Sequence, residues 1–339
     1  MPKISVDDYN TIVKMAKMPK RVNVQPDNVK GFLDSSFVVS DSVLGQICAA
    51  LNSGNHIILS GPPGTGKTTI AQAVAMAARG VEPIMTTATA DWTTFDTVGG
   101  YMPDLASSSP NALTFETGII LQSMIDRRWI IVDEINRAPI DKAIGQLFTV
   151  LSGGDVLLPF RNIKTCNRLK VVSDNFFSSE DVFSRSDDWR MIATMNEYDK
   201  NALFDLSYAF MRRFAIIRIG LPDKYDEVVV NWATEAKVDA SIISNLQEIT
   251  ASYMASREIG PAIFKSIIAY ITERTKMGTD YGLYYAESLA IYLVPQLQGI
   301  DEEAVHEITT VVKKCFSGNY DAEKFFADNV YAITGYRVA

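Results

Sequence analysis

Residues 60–74 read SGPPGTGKTTIAQAV, and this stretch decides what kind of molecule the chain makes. Gly61-Pro62-Pro63-Gly64-Thr65-Gly66-Lys67-Thr68 satisfies G-x-x-x-x-G-K-[ST] at every fixed position. A triphosphate carries several negative charges, so backbone N–H groups must converge around it. Glycines permit the necessary curvature and close approach. A helix that starts here aims the positive end of its dipole at the phosphates. Lys67 is placed to reach the β- and γ-phosphates, and the Thr68 hydroxyl to ligate Mg²⁺. The apolar run HIILS before the motif predicts a strand, and TTIAQAVAMAARG predicts a helix ended by Gly80. The mechanism requires that context.

Working outward, EPIMTT, RWIIVDE, WRMIATM and FAIIRIG are four more short runs of apolar and β-branched residues, as buried parallel strands require. Helical patterns separate most of them: FETGIILQSMID before the third strand and DKAIGQLFTVLSGG after it, with SVLGQICAALNSG ahead of the first. The expected fold is α/β, a parallel five-stranded sheet flanked by helices. Between Gly154 and Trp189 the alternation breaks. There VLLPF and RLKVV predict a hairpin, and SDNFFSSEDVFSRSDD an acidic, serine-rich loop. After Leu221-Pro222 the pattern is almost wholly helical, and Gly260-Pro261 suits a helix start. The expected organisation is a lead-in over 1–36, a nucleotide-binding core over 37–221 with insertions near 89–110 and 155–188, and an all-helical lid over 222–339.

Composition narrows the function. The 339 residues are 47% hydrophobic, enough for a sizeable core, and the net charge of −8 argues against a surface that grips DNA all over. MPKISVDDYN lacks the apolar core of a signal peptide, and no apolar run approaches the ~20 residues of a membrane helix. A cytoplasmic location is expected. Cys48, Cys166 and Cys315 lie far apart in sequence, reading as buried free thiols rather than a metal site or disulfide framework. Of two histidines, His56 and His306, the first opens an apolar strand and is expected to pack.

Hydrolysis needs a held metal and an oriented water. In RWIIVDEINRAP, Trp129 to Val132 bury a strand and Asp133 emerges at its carboxyl end, where ligands sit in open α/β sheets. Asp133 is assigned to Mg²⁺ through water, and Glu134 is the candidate base for the attacking water. Asn196 ends another apolar strand, where its amide can hold that water. Arg212 and Arg213 stand just before a strand, and guanidinium matches transition-state charge on phosphate.

GPPGTGKTT, WIIVDEINRAP, ATMN and FMRRF, in this order and spacing, resemble the AAA+ ATPases. DEINRAP, TTFDTVGGYM and YLVPQLQG are similar to the MoxR, McrB and dynein-related branch, and the likeness covers about residues 38–300. The resemblance implies ATP and Mg²⁺, a cradle running from Gly61 to Thr69, and a homo-oligomeric ring, commonly a hexamer. It implies that Arg212, Arg213 or both reach the next subunit's γ-phosphate. It implies too that residues 89–104 face a pore, where Trp92, Phe95 and Tyr101 are placed to grip a partner. Related sequences often carry Gly-Pro-Arg at a lid helix; this chain has Gly260-Pro261-Ala262. Lys265 is then the candidate to reach phosphate, with Arg257 behind it. The main functional expectation is an ATPase ring that remodels or loads a client or adaptor, such as a protein with a von Willebrand-type domain. One alternative is a motor subunit like McrB, which uses GTP and works with a nuclease; nucleic acid then enters only through a partner or the pore. Another is a nucleotide-dependent assembly scaffold, against which the intact Asp133-Glu134 pair argues.

Overall fold

The computed structural model describes residues 22–104, 112–173, 179–197, 204–222 and 224–337, apart from 257, 259, 315 and 317. By their contacts the residues form two units. Of the described residues, the first takes in 22–35, Asp41–Gly61 and those from Lys67 to Ile219, and the second Ser36–Ser40, Pro62–Gly66 and those from Gly220 to 337.

The five apolar runs of the first unit form one sheet. They are β1 (His56–Gly61), β2 (Ile84–Thr87), β5 (Ile130–Asp133), β9 (Met191–Asn196) and β10 (Phe214–Arg218), in the spatial order β10-β1-β9-β5-β2. Every pairing is parallel. The inner strand β1 is buried at all six residues, whereas the edge strands β2 and β10 alternate. Helices covering both faces demand that difference. Ile58, Val132, Ala193, Leu121, Met124 and Val150 belong to the core that results.

Two small sheets interrupt this alternation. β3 (Gly99–Pro103) and β4 (Leu113–Thr117) form an antiparallel hairpin. FETGIILQSMID is therefore not one helix: its first residues lie in β4, and after Gly118 the helix runs Ile119–Ile125. DKAIGQLFTVL is also broken, into Ile140–Ile144 and Phe148–Leu151 with a 3₁₀ turn between. β6 (Val156–Arg161) and β7 (Arg168–Ser173) pair antiparallel, the hairpin read from sequence. The segment expected as an acidic loop instead supplies β8 (Val182–Arg185), parallel to β7. Phe183 stacks on Phe115 at 6.2 Å, and that apolar contact outweighs the polar composition around it. Residues 174–178 of that segment lie outside the described residues.

The aromatics expected to face a pore differ among themselves. Trp92 is 8% exposed and belongs to the core, while Phe95 and Tyr101 are 46% and 40% exposed. The Tyr101 hydroxyl accepts from the Arg161 N–H and donates to its carbonyl, tying the β3–β4 hairpin to β6. Not all the thiols are buried: Cys48 is, but Cys166 is exposed in the β6–β7 turn, at φ +60. Cys315 lies outside the described residues. His56 is buried, and its Nδ1 accepts the Met191 N–H at 3.0 Å.

The second unit is helical: Tyr225–Glu235, Ala240–Ser256, Ala262–Arg274, Tyr281–Tyr292, Glu302–Lys314 and Tyr320–Thr334. Its core includes Val229, Leu246, Phe264, Leu289, Ile308 and Phe326. The last helix was not among those read from sequence. Asn319 caps it, accepting the Ala322 N–H at 3.1 Å, and Gly335 closes it at φ +76. Among the described residues, no helix is long and apolar enough to cross a membrane.

The burial contrast within the sheet has a measurable consequence. Ile131→Ala, a fully buried residue of the inner strand β5, should cost about 2–5 kcal/mol in equilibrium denaturation. Ile216→Ala, 48% exposed on edge strand β10, should cost below ~1 kcal/mol.

Candidate active site

Three parallel strands deliver the polar residues to one place. In a parallel sheet all carboxyl ends lie on one edge, so β1, β5 and β9 finish together. Gly61 pairs in register with Asn196, and Asp133 closes β5 alongside. The helix Lys67–Arg79 begins just after the phosphate loop.

Lys67 is 6% exposed, and its ammonium donates to the Gly61 carbonyl at 3.0 Å. Burial pulls its pKa down to about 8; the charges of Asp133, Glu197 and Glu134 act the other way. The Thr68 hydroxyl donates to Asp133 Oδ1 at 2.7 Å. Thr194 donates to the same oxygen while its own hydroxyl accepts the Glu134 N–H at 3.0 Å.

Glu134 stands in the left-handed region, φ 53 and ψ 47, a conformation that costs a non-glycine residue about 1–2 kcal/mol. Its carboxylate is held from two sides. Asn196 donates from Nδ2 to Oε1 at 3.0 Å, and Arg137 pairs through Nε with Oε2 at 2.8 Å. Asn136 joins the group by donating to the Asn196 carbonyl at 3.3 Å. Asn196 is thus beside the candidate base, and here its amide is spent on that base. Glu197 accepts from Ser60 at 2.6 Å and pairs with Arg218 at 3.2 Å.

The loop residues 62–66 group with the helical unit. Thr65 donates to the Pro62 carbonyl at 3.0 Å. Gly66 has φ +78, and a Cβ there would meet the Phe37 ring at 2.4 Å, so no other residue fits. The Gly260 N–H donates to the Pro63 carbonyl at 3.1 Å and that of Ala262 to the Gly64 carbonyl at 3.4 Å. The start of the helix Ala262–Arg274 therefore lies on the loop. Lys265 donates to Ser36 Oγ at 2.9 Å, 5.3 Å over the Trp232 ring. Its charge is engaged there rather than by the loop. Thr69 is exposed on the first turn of its helix, and Arg257 lies outside the described residues.

The donor set suits Mg²⁺ carried by a nucleotide. Thr68 and Asp133 offer hard oxygens, but among the described residues no cluster of three or more His, Cys, Asp or Glu side chains could hold an ion alone. Magnesium commonly takes one or two protein oxygens together with substrate phosphates.

Arg212 and Arg213 lie elsewhere. They precede Phe214, which pairs with His56 at the opposite end of β1. Five residues of strand separate His56 from Gly61, about 16 Å at ~3.3 Å per residue. Arg213 is anchored, donating to the Phe148 carbonyl at 2.8 Å and lying 4.9 Å over that ring. Arg212 is exposed.

Thr194, Arg137 and Glu197 are participants that sequence reasoning missed. Thr194 stands two residues before Asn196, hence on the same face of β9. Arg137 stands three residues after Glu134, a spacing that lets helical side chains meet. Both signals were present in the motifs.

Comparison with known proteins places this site in context. The model of the AAA domain, dynein-related subfamily, matches residues 56–214. A curated relative, the type IV methyl-directed restriction enzyme EcoKMcrB subunit of Escherichia coli K12, is 22% identical over 326 residues. That alignment takes in 92% of this chain, which spans 65% of the relative's length. A crystal structure of a candidate ATPase from Cytophaga hutchinsonii ATCC 33406 is 14% identical, with a TM-score of 0.38, covering 92% of this chain and 87% of its own.

Removing the Thr194 hydroxyl should be felt first in stability. Thr194→Val leaves the Glu134 N–H without its acceptor and should lower unfolding free energy by about 1–3 kcal/mol, read by chemical denaturation.

Proposed function

We propose that this chain, a member of the dynein-related branch of the AAA+ ATPases, binds a magnesium nucleoside triphosphate and spends its hydrolysis on remodelling or loading a partner protein. The observation that carries this reading is the convergence of Lys67, Thr68, Asp133, Glu134 and Asn196 on one edge of the sheet. Lys67 neutralises and orients the β- and γ-phosphates, together with the backbone of Gly61 to Thr69. Thr68 and Asp133 would hold Mg²⁺, which when bound would supply positive charge to offset that of the phosphates. Glu134 orients the attacking water and takes its proton. It must first loosen its ties to Arg137 and Asn196, and Asn196 then turns its amide to the water.

One subunit does not complete the site. At about 16 Å along β1 from Gly61, Arg212 and Arg213 are too far to stabilise charge on their own subunit's nucleotide. In this reading they act on a neighbour's, and a face that meets a different face gives a ring when the rotation between subunits closes. Arg212 is the finger in this reading, because Arg213 is spent on the Phe148 and Ala209 carbonyls. Six subunits and a cytoplasmic setting complete the proposal.

A second reading has its own support. The similarity to the EcoKMcrB subunit runs over 92% of this chain. It favours a motor subunit, using GTP or ATP, that acts on nucleic acid beside a nuclease partner. The chain's negative charge places any nucleic-acid contact in the pore or on the partner.

Turnover with ATP and with GTP, in wild type and Glu134→Gln, tests the common core. The variant should keep nucleotide affinity and lose about 10²–10⁴-fold in turnover; full activity would remove Glu134 from its role. Stimulation of turnover by DNA would move the balance to the second reading. Mixing Lys67→Ala subunits with Arg212→Ala/Arg213→Ala subunits should partly restore activity if the arginines act across the interface. A mixture as inactive as its components would refute that arrangement.

A further inference from the structure

A cavity of about 720 Å³ opens at the amino-terminal edge of the sheet, the edge away from the phosphate loop. Its lining includes Arg185, Arg190, Arg212 and Arg213, with Asp187 the one carboxylate. Two of these guanidinium groups are deeply buried: Arg185 is 6% exposed and Arg190 5%. Each is anchored by part of its fork. Arg185 donates from Nη2 to Ser173 Oγ at 3.2 Å. Arg190 donates from Nη1 to the carbonyls of Asp187 and Trp189 at 2.6 and 2.8 Å. In both the Nε–H is buried and has no hydrogen-bond partner. Neither residue forms a direct ion pair among the described residues, although the charge of Asp187 acts on both and that of Asp188 on Arg190; Asp188 is itself bound to Arg79.

Burying a charged group without a partner is costly, and folded proteins seldom leave a guanidinium N–H unmet. Two such groups beside a roomy cavity, with two more arginines at its wall, make a cationic receptacle. The field is felt by its neighbours. Burial drives the His56 imidazole pKa down to about 3, and Arg190 and Arg185 push it the same way. Burial also lowers Arg190 to about 10, with Arg185 adding to the effect and Asp188 and Asp187 opposing it.

We infer that this cavity is a second anion site, built to take a phosphate-class oxyanion through Arg185 and Arg190. The fork of arginine matches the oxygens of phosphate and pyrophosphate, and two adjacent buried guanidinium groups suit a multiply charged anion better than a lone carboxylate. The site goes beyond the proposed catalytic cycle. It lies about 16 Å of strand from the chain's own phosphate loop, and its two deepest residues have no role in that cycle. The phosphate is either free or carried on a nucleotide.

The test uses the full chain carrying Lys67→Ala, which disables the phosphate loop and all turnover. Pyrophosphate, inorganic phosphate and ATP are titrated by calorimetry, at an ionic strength held constant with chloride. Saturable binding of pyrophosphate or phosphate is expected. Added Asn55→Asp, an exposed change at the cavity wall, supplies an internal carboxylate and should weaken that binding at least about tenfold. Arg185→Gln should do the same; should it not fold, Asn55→Asp decides alone. ATP binding with equal sensitivity to Asn55→Asp identifies a nucleotide as the source, and insensitivity of ATP identifies the free ion. No saturable binding, or binding of all three that Asn55→Asp leaves unchanged, overturns the inference. Turnover plays no part in the readout, so failure here is separate from failure of the ring reading.

Discussion

One carboxylate oxygen organises the nucleotide edge of this molecule. Asp133 Oδ1 receives the hydroxyls of Thr68, from the first turn after the phosphate loop, and Thr194, from the neighbouring strand. It thereby fastens helix, β5 and β9 at the point where all three meet. Thr194 passes the restraint on, since its oxygen accepts the N–H of Glu134. The candidate base is thus fixed in backbone before any substrate arrives, and its side chain is parked on Arg137 and Asn196. Charge-assisted hydrogen bonds of this kind are strong enough to hold strained backbone such as that of Glu134.

The sheet separates two electrostatic tasks by polarity alone. Parallel strands put every carboxyl end on one edge, where an acidic pair gathers with Lys67. Every amino end lies on the other edge, where arginines gather. No single chain can bring the two edges together, because the rise of β1 keeps them about 16 Å apart. Assembly follows as a geometric demand in the proposed function, and the same separation isolates the second anion cavity from the chain's own nucleotide.

The five core strands and the phosphate loop were legible because their signals are local. Each strand is a short apolar run, and the loop's glycines and lysine stand at fixed spacing. The Asp133-Glu134 pair could be named because it ends such a run. What escaped was decided by partners distant in sequence. β8 forms from a serine-rich acidic stretch because Phe183 has Phe115 to stack on. Trp92 looks like its neighbours Phe95 and Tyr101 in sequence, and only packing shows that it is core. The final helix, Tyr320–Thr334, announces itself weakly except through its caps. Thr194 was hidden in plain view, a polar residue in an apolar strand whose purpose depends on Thr68 and Asp133 more than 60 residues away.

The junction at Gly260 has an implication for the missing arginine. A Cβ on Gly260 would lie 2.2 Å from the backbone of Gly64, so that residue must stay bare. Ala262, two positions on, is exposed and sits 3.4 Å from the point where a side chain on Gly64 would begin. The position where the sequence resemblance leads one to expect an arginine is therefore held against the loop backbone, with only a methyl group on it. Alanine and arginine exchanged at 262 would differ by one charge beside an otherwise unchanged turn, so the pair would weigh what a cation adds at that spot.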